Sequence, residues 1–177
     1  TAILPLFANL TAAPLDELLS PEDNMLSDRT VLNLKSMFDT GGVLHIAIDS
    51  LSDPQTAQRM VQLIVADIAA IAGQRYNTDM TGSRRVSIFI DEGHAALCEQ
   101  LLSLLAQGRA SKMALTVATQ TISDLVAKSS EAVANRLIGL CNNWISTRVS
   151  DPLTKMKVAE NFGKVSVDMR EISISQR

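Results

Sequence analysis

The stretch RVSIFIDEGHAALCEQLLSLLAQGRASKMALTVATQ, residues 85–120, decides how this chain folds. It opens with an apolar run, Val86–Ile90, that ends on two adjacent acids, Asp91 and Glu92. A short β-rich run bounded by polar residues predicts a buried strand. Such a strand delivers both carboxylates to its C-terminal end, which is the edge of an open α/β sheet where ligands bind.

The second half of this stretch predicts a helix and another strand. Leu97–Gln107 is apolar at helical spacing and stops at Gly108, a residue typical of helix C-termini. Met113–Ala118 is again apolar and is followed by Thr119-Gln120. Strands joined through a helix are parallel neighbours, so we expect Gln120 to lie at the same sheet edge as the two acids.

The rest of the chain continues the alternation of strands and helices. An unbroken apolar run predicts a central strand buried on both faces at Val43–Ile48. Further patterns predict short helices within Thr1–Leu19, helices at Pro54–Ala72 (ended by Gly73), Ile122–Ala127, Glu131–Leu140 and Pro152–Phe162, an edge strand at Trp144–Val149, and one or two short strands within Lys164–Ile174. This order predicts an α/β fold, a mainly parallel sheet with helices on both faces.

Composition narrows the possible functions. The chain has 177 residues, 46% of them apolar, which suits a single domain with a substantial core. A net charge of −3 argues against a generally basic, nucleic-acid-binding surface, although a local positive loop remains compatible with it. No apolar run is long enough to span a membrane. Cys98 and Cys141 lack zinc-site spacing, so we expect free thiols.

An apolar strand that ends on Asp-Glu is the pattern of a Walker B strand in P-loop ATPases. In that setting Asp91 holds Mg²⁺, directly or through water, and Glu92 orients and deprotonates the attacking water. The alternative is a structural one, in which the two acids only begin a loop or cap a helix.

The segment IDEGHAALCEQLLSLLAQGRASKMALTVATQTISDL resembles the corresponding part of the coupling proteins of bacterial conjugation, the TraD/TraG class. These proteins are hexameric DNA-pumping ATPases related to the FtsK/HerA translocases. LTAAPLDELLSPED, GGVLHIAIDSLSDP and WISTRVSDPLTKMKVAENFGK are also similar to the TraD type, so the resemblance covers nearly the whole chain. One feature departs from it, because no G-x-x-x-x-G-K-[ST] occurs to cradle phosphates.

The resemblance implies a partial RecA-like P-loop core at residues 41–177, preceded at residues 1–40 by short helices and a connecting segment that ends an inserted helical region. It implies that Arg109 is an arginine finger acting on the nucleotide of the neighbouring subunit, that Gln120 senses the γ-phosphate, and that Arg148 contacts nucleotide. Each residue also has a structural alternative. Arg109 would interact favourably with the dipole at the C-terminus of the preceding helix. Gln120 would make a capping contact, and Arg148 would lie on a strand surface.

The implied cofactors are ATP and Mg²⁺, and the implied parent protein is a homo-hexamer at the cytoplasmic face of the bacterial inner membrane. Its partners would be single-stranded or double-stranded DNA, a relaxase and type IV secretion components. The missing P-loop and the N-terminal Thr1 lead us to expect a fragment of a longer protein or a processed chain, inactive alone as an ATPase. Two alternatives stay open: another HerA-type or VirB-type ATPase, and a non-catalytic oligomerisation or adaptor module.

Overall fold

The computed structural model describes residue 11 and residues 32–78 and 83–163. The predictions for Thr1–Leu19 and Lys164–Ile174 lie outside these residues, apart from Thr11. The described elements are, in chain order, α1 (Leu34–Thr40), α2 (Pro54–Tyr76), β1 (Val86–Ile90), α3 (Gly93–Ala96), α4 (Glu99–Gln107), a 3-10 helix (Gly108–Ser111), β2 (Met113–Val117), α5 (Ile122–Lys128), α6 (Glu131–Leu140) and α7 (Pro152–Phe162).

The two strands form a parallel pair, as predicted. Val86 lies opposite Met113, and Ile90 lies opposite Val117. Both strands therefore end at the same side of the sheet, which we call the carboxyl edge. Their first residues lie at the other side, which we call the amino edge. A five-residue strand separates the two edges by about 13 Å.

Only one face of this two-stranded sheet is covered by the described residues. Val86, Ile88 and Ile90 are half-buried against the helical core, whereas Phe89 points to the other face and is 77% exposed. The α/β class is thus confirmed in its coarser form, a parallel strand pair with helices. A RecA-like core and helices on both faces stay predictions.

The core lies between the sheet and helices α2, α4, α5 and α6. Leu101, Leu102 and Leu125 are almost completely buried there. Burying a leucine side chain contributes about 1.5–3 kcal/mol. The leucine-rich helix that the sequence predicts after β1 therefore supplies two of the most deeply buried side chains of the core, Leu101 and Leu102.

Two predicted strands are wrong. Val43–Ile48 and Trp144–Val149 form no strand, and Val43 and Ile145 are 99% and 96% exposed. His45, in the middle of the first segment, is exposed as well. A strand needs a neighbouring strand for its backbone N–H and C=O groups. Within the described residues neither segment has a neighbouring strand to pair with, and an apolar composition cannot replace these hydrogen bonds.

Helix α2 begins as predicted but ends later. Asp53 caps it, accepting a hydrogen bond from the Thr56 amide at 3.1 Å, and Pro54 occupies the first turn. Gly73 does not end the helix, which continues to Tyr76. Glycine lowers helix propensity by only about 1 kcal/mol, a cost that this 23-residue helix tolerates.

A polar cluster joins α7 to α5. Asp151 caps α7 by accepting from the Thr154 amide at 2.8 Å, and it also accepts from the Ser123 hydroxyl at 2.9 Å. The Thr154 hydroxyl donates to Asp151 at 2.6 Å and accepts from the Ile122 amide at 2.8 Å. The Thr154 hydroxyl and amide hold the pKa of Asp151 below its usual value. The cluster thus fixes the first turn of α5, directly after Gln120.

We predict that Thr154→Val lowers the free energy of unfolding by about 1–3 kcal/mol, because the buried amide of Ile122 loses its acceptor. Chemical denaturation of the purified chain measures this change. Thr154→Ser is the matched control, since it keeps the hydroxyl and should retain most of the stability. Equal loss in both variants would contradict the role of the hydroxyl.

Candidate functional site

The candidate site begins where β1 ends at the carboxyl edge. Asp91 and Glu92 are both exposed there. The Glu92 amide donates to an Asp91 carboxylate oxygen at 2.9 Å, so the Asp91 side chain folds back over the turn. The predicted delivery of two carboxylates to the C-terminal end of β1 is therefore observed.

Glu92 adopts a backbone conformation that is unusual for its type. Its φ and ψ are 52° and 53°, in the left-handed region. This conformation costs a non-glycine residue about 1–2 kcal/mol. A strained residue persists only where surrounding contacts impose it, and such residues concentrate at functional sites. The strain falls on the residue that the sequence predicts to be a general base.

The contacts that impose this conformation come from Gly93. Its amide donates to the Ala118 carbonyl at 2.8 Å, and the Ala118 amide donates to the Ile90 carbonyl at 2.8 Å. A Cβ atom on Gly93 would lie 2.3 Å from Cγ1 of Val117, so only glycine fits. Sequence reasoning missed Gly93, although a glycine at a strand end is a known sign of close backbone approach.

His94 lies beside the predicted base. Its Nε2 is 3.7 Å from a Glu92 carboxylate oxygen, which is too long for a hydrogen bond but close enough for an electrostatic contact. Its Nδ1 is buried and has no hydrogen-bond partner within residues 32–78 and 83–163. The imidazole of His94 therefore has one buried nitrogen without a partner in the described residues and one nitrogen near the Glu92 carboxylate.

Gln120 follows β2 at the same edge and is exposed. The cap of α5 is made by Thr121, whose hydroxyl accepts from the Asp124 amide at 3.0 Å. The capping contact that was the structural alternative for Gln120 is thus made by its neighbour. Parallel pairing places Gln120 at the same edge as Asp91 and Glu92, as predicted.

The two predicted arginines are not brought into this group. Arg109 is exposed in the 3-10 helix before β2, at the amino edge, so roughly one strand length, about 13 Å, separates that position from the acids. Arg148 is exposed in the irregular segment between α6 and α7, where the predicted strand does not form. The nucleotide roles of both arginines stay predictions.

The donor set of the acidic turn suits Mg²⁺. This ion uses one or two carboxylates together with water and substrate phosphates. Asp91 and Glu92 supply carboxylate oxygens that are open to solvent. Within the described residues no group of three or more His, Cys, Asp or Glu side chains could hold a metal ion by itself. Cys98 and Cys141 are free thiols, as predicted.

A family model described as the type IV secretion-system coupling protein DNA-binding domain matches residues 8–177. The chain belongs to this family. The match agrees with the resemblance to conjugative coupling proteins and supports a role in DNA binding and type IV secretion DNA transfer. Neither a curated protein nor a solved structure matches the chain. In the described part of this family member, no helix is long and apolar enough to cross a membrane.

We predict that Glu92→Gly raises the free energy of unfolding by about 1 kcal/mol, because glycine adopts the left-handed conformation without strain. Denaturation of the purified chain checks this expectation. Glu92→Gln is the control, since glutamine carries the same backbone strain and should leave stability unchanged. Loss of stability in Glu92→Gly would show that the side chain, not the backbone, is favourable here.

Proposed function

We propose that this chain forms part of the ATP-driven motor of a conjugative coupling protein, which recruits relaxase-bound single-stranded DNA and pumps it into a type IV secretion channel. The proposal rests on one observation above all. A chain of the coupling-protein family places two acids, one in a strained turn, at the same sheet edge as an exposed glutamine.

In this proposal each residue at the carboxyl edge has a separate role in ATP hydrolysis. Asp91 would hold Mg²⁺, and that ion, when bound, would neutralise charge on the nucleotide phosphates. Glu92 orients the attacking water and accepts its proton. Gln120 can donate to a phosphate oxygen and accept from water, so it reports the γ-phosphate to α5. Arg148 is assigned a nucleotide contact by resemblance alone.

Arg109 acts on the nucleotide of the neighbouring subunit in this proposal. Its place at the amino edge, about a strand length from Glu92 of the same chain, is consistent with action between subunits. A guanidinium directed at a γ-phosphate stabilises the charge of phosphoryl transfer. The parent protein would then be a ring, with a homo-hexamer as the form implied by resemblance, at the cytoplasmic face of the inner membrane.

The phosphate-cradling loop must come from elsewhere in this scheme. The 177 residues contain no G-x-x-x-x-G-K-[ST] motif. Backbone N–H groups of that loop normally surround the phosphates. We therefore expect the chain alone not to hydrolyse ATP efficiently, and we expect the parent coupling protein to do so.

The test is DNA-stimulated ATP hydrolysis by the coupling protein that carries this chain, with and without Glu92→Gln. Loss of the general base should lower kcat by about 10²–10⁴-fold while ATP binding is retained. Glu131→Gln is the matched control, because Glu131 is an exposed acid at the start of α6.

Unchanged kcat in Glu92→Gln would remove Glu92 from the mechanism. Absence of both ATP binding and turnover in the unmodified protein would contradict the motor proposal. The adaptor alternative would then take its place.

A further inference from the structure

His94 connects the interior of the molecule to the acidic turn. Its side chain is only 22% exposed, whereas the side chain of Glu92 beside it is 51% exposed. The imidazole Nε2 lies 3.7 Å from a Glu92 carboxylate oxygen. The other ring nitrogen, Nδ1, is buried and has no hydrogen-bond partner among the residues that the structure describes. One nitrogen of the ring therefore lies beside the predicted general base, and the other is enclosed.

The fold holds the imidazole more firmly than it holds the Glu92 carboxylate. His94 belongs to α3, which packs against α2 and α5, and Ala96 of the same helix is completely buried. The Ala95 amide donates to the Glu92 carbonyl at 2.8 Å, so α3 begins directly on the strained residue. The Glu92 carboxylate, by contrast, ends a half-exposed side chain with several rotatable bonds. In this pair the ring is the fixed partner, and the carboxylate is the partner that can turn.

The surroundings of the two nitrogens favour one tautomer of the imidazole. A neutral histidine carries a hydrogen on one nitrogen and a lone pair on the other. With the hydrogen on Nδ1, the lone pair of Nε2 would face the negative charge of Glu92, and the two would repel each other. With the hydrogen on Nε2, an N–H group faces the carboxylate instead. A doubly protonated ring would add a charged N–H group at the buried Nδ1, where the described residues offer no acceptor.

A small movement of Glu92 is enough to form a hydrogen bond with this N–H group. The separation is 3.7 Å, whereas a nitrogen donor and a charged oxygen acceptor approach to about 2.7–2.9 Å. The carboxylate therefore has to shift by about 1 Å, which rotation of its side chain allows. Catalytic hydrogen bonds are often long without substrate and shorten in the reacting complex.

We propose that His94 positions Glu92 for catalysis by donating a hydrogen bond from Nε2 to one of its carboxylate oxygens. The other oxygen then faces the attacking water and accepts its proton. A carboxylate held at one oxygen presents the second in a fixed direction, and a general base is commonly oriented by a third group in this way. His94 touches neither the water nor the nucleotide in this scheme, so it is a positioning residue. The inference rests on the proposed role of Glu92 and adds the group that directs it.

Two substitutions separate hydrogen bonding from packing. His94→Gln keeps an N–H donor close to the position of Nε2 but loses the ring, whereas His94→Phe keeps a ring but loses both nitrogens. In the coupling protein that carries this chain, His94→Phe should lower kcat for ATP hydrolysis by about 10- to 100-fold, as expected for a misplaced catalytic group. The KM for ATP should stay unchanged, and His94→Gln should retain most of kcat.

Three comparisons accompany these variants. His94→Phe should be at least as stable as the unmodified protein in denaturation, because it removes a buried nitrogen that has no partner in the described residues. In a protein that already carries Glu92→Gln, His94→Phe should lower kcat no further, since the two residues act as a unit. His45→Gln is the matched control, because His45 is the other histidine of the chain and is exposed.

A second measurement examines the contact without ATP hydrolysis. Long-range ¹H–¹⁵N NMR spectra of the labelled chain show which ring nitrogen carries the hydrogen. At about pH 8, where histidine side chains are ordinarily neutral, His94 should carry it on Nε2. Glu92→Ala should shift the His94 Nε2 signal and leave that of His45 unchanged.

Full kcat in His94→Phe, together with loss of kcat in Glu92→Gln, would overturn the inference and leave the proposed function standing. Equal losses in His94→Phe and His94→Gln would also contradict it, because a donor alone would not restore activity. A hydrogen on Nδ1, or a His94 signal that does not respond to Glu92→Ala, would overturn the contact whether or not the protein hydrolyses ATP. Unchanged kcat in Glu92→Gln would instead contradict the proposed function itself.

Discussion

The close approach of Gly93 to β2 is the contact on which the candidate site depends. The Gly93 amide reaches the Ala118 carbonyl at 2.8 Å, and there is no room for a side chain between Gly93 and Val117. This contact turns the chain sharply after β1 and leaves Glu92 in the left-handed region. The backbone of Glu92 is thus placed by the contact of its neighbour Gly93, while the Asp91 carboxylate is held by the Glu92 amide at 2.9 Å.

The same strand pair gives the molecule two chemically different ends. The carboxyl edge carries acids and an amide, whereas the amino edge carries arginines and an exposed tyrosine. The 3-10 helix and Gln120 lie at opposite ends of β2.

Local signals in the sequence were sufficient for much of this structure. Strands β1 and β2 have short apolar runs bounded by polar residues, and α6 and α7 begin at the predicted residues, each after a capping side chain, Ser130 or Asp151. The placement of Asp91, Glu92 and Gln120 at one edge follows from parallel pairing alone. These features were predictable because each depends on neighbours in sequence or on one simple rule of topology.

Features that depend on distant partners were not predictable in the same way. Val43–Ile48 has the composition of a buried strand, but no strand in the described residues pairs with it. The unsatisfied nitrogens of Arg75 and the lack of space at Gly93 depend on which segments pack against them. The sequence shows that Arg109 lies between α4 and β2. Only the pairing of the two strands shows that this position is at the sheet edge opposite the acids.

The measurement that tests this account most directly is the stability of Gly93→Ala beside that of Gly73→Ala. The first substitution forces a methyl group into Val117 and should lower the free energy of unfolding by about 1–3 kcal/mol. Gly73 lies in α2 with nothing within 4 Å of an added Cβ, so its substitution should raise stability by about 0.5–1 kcal/mol. A Gly93→Ala chain as stable as the unmodified protein would contradict the claim that this close approach shapes the acidic turn.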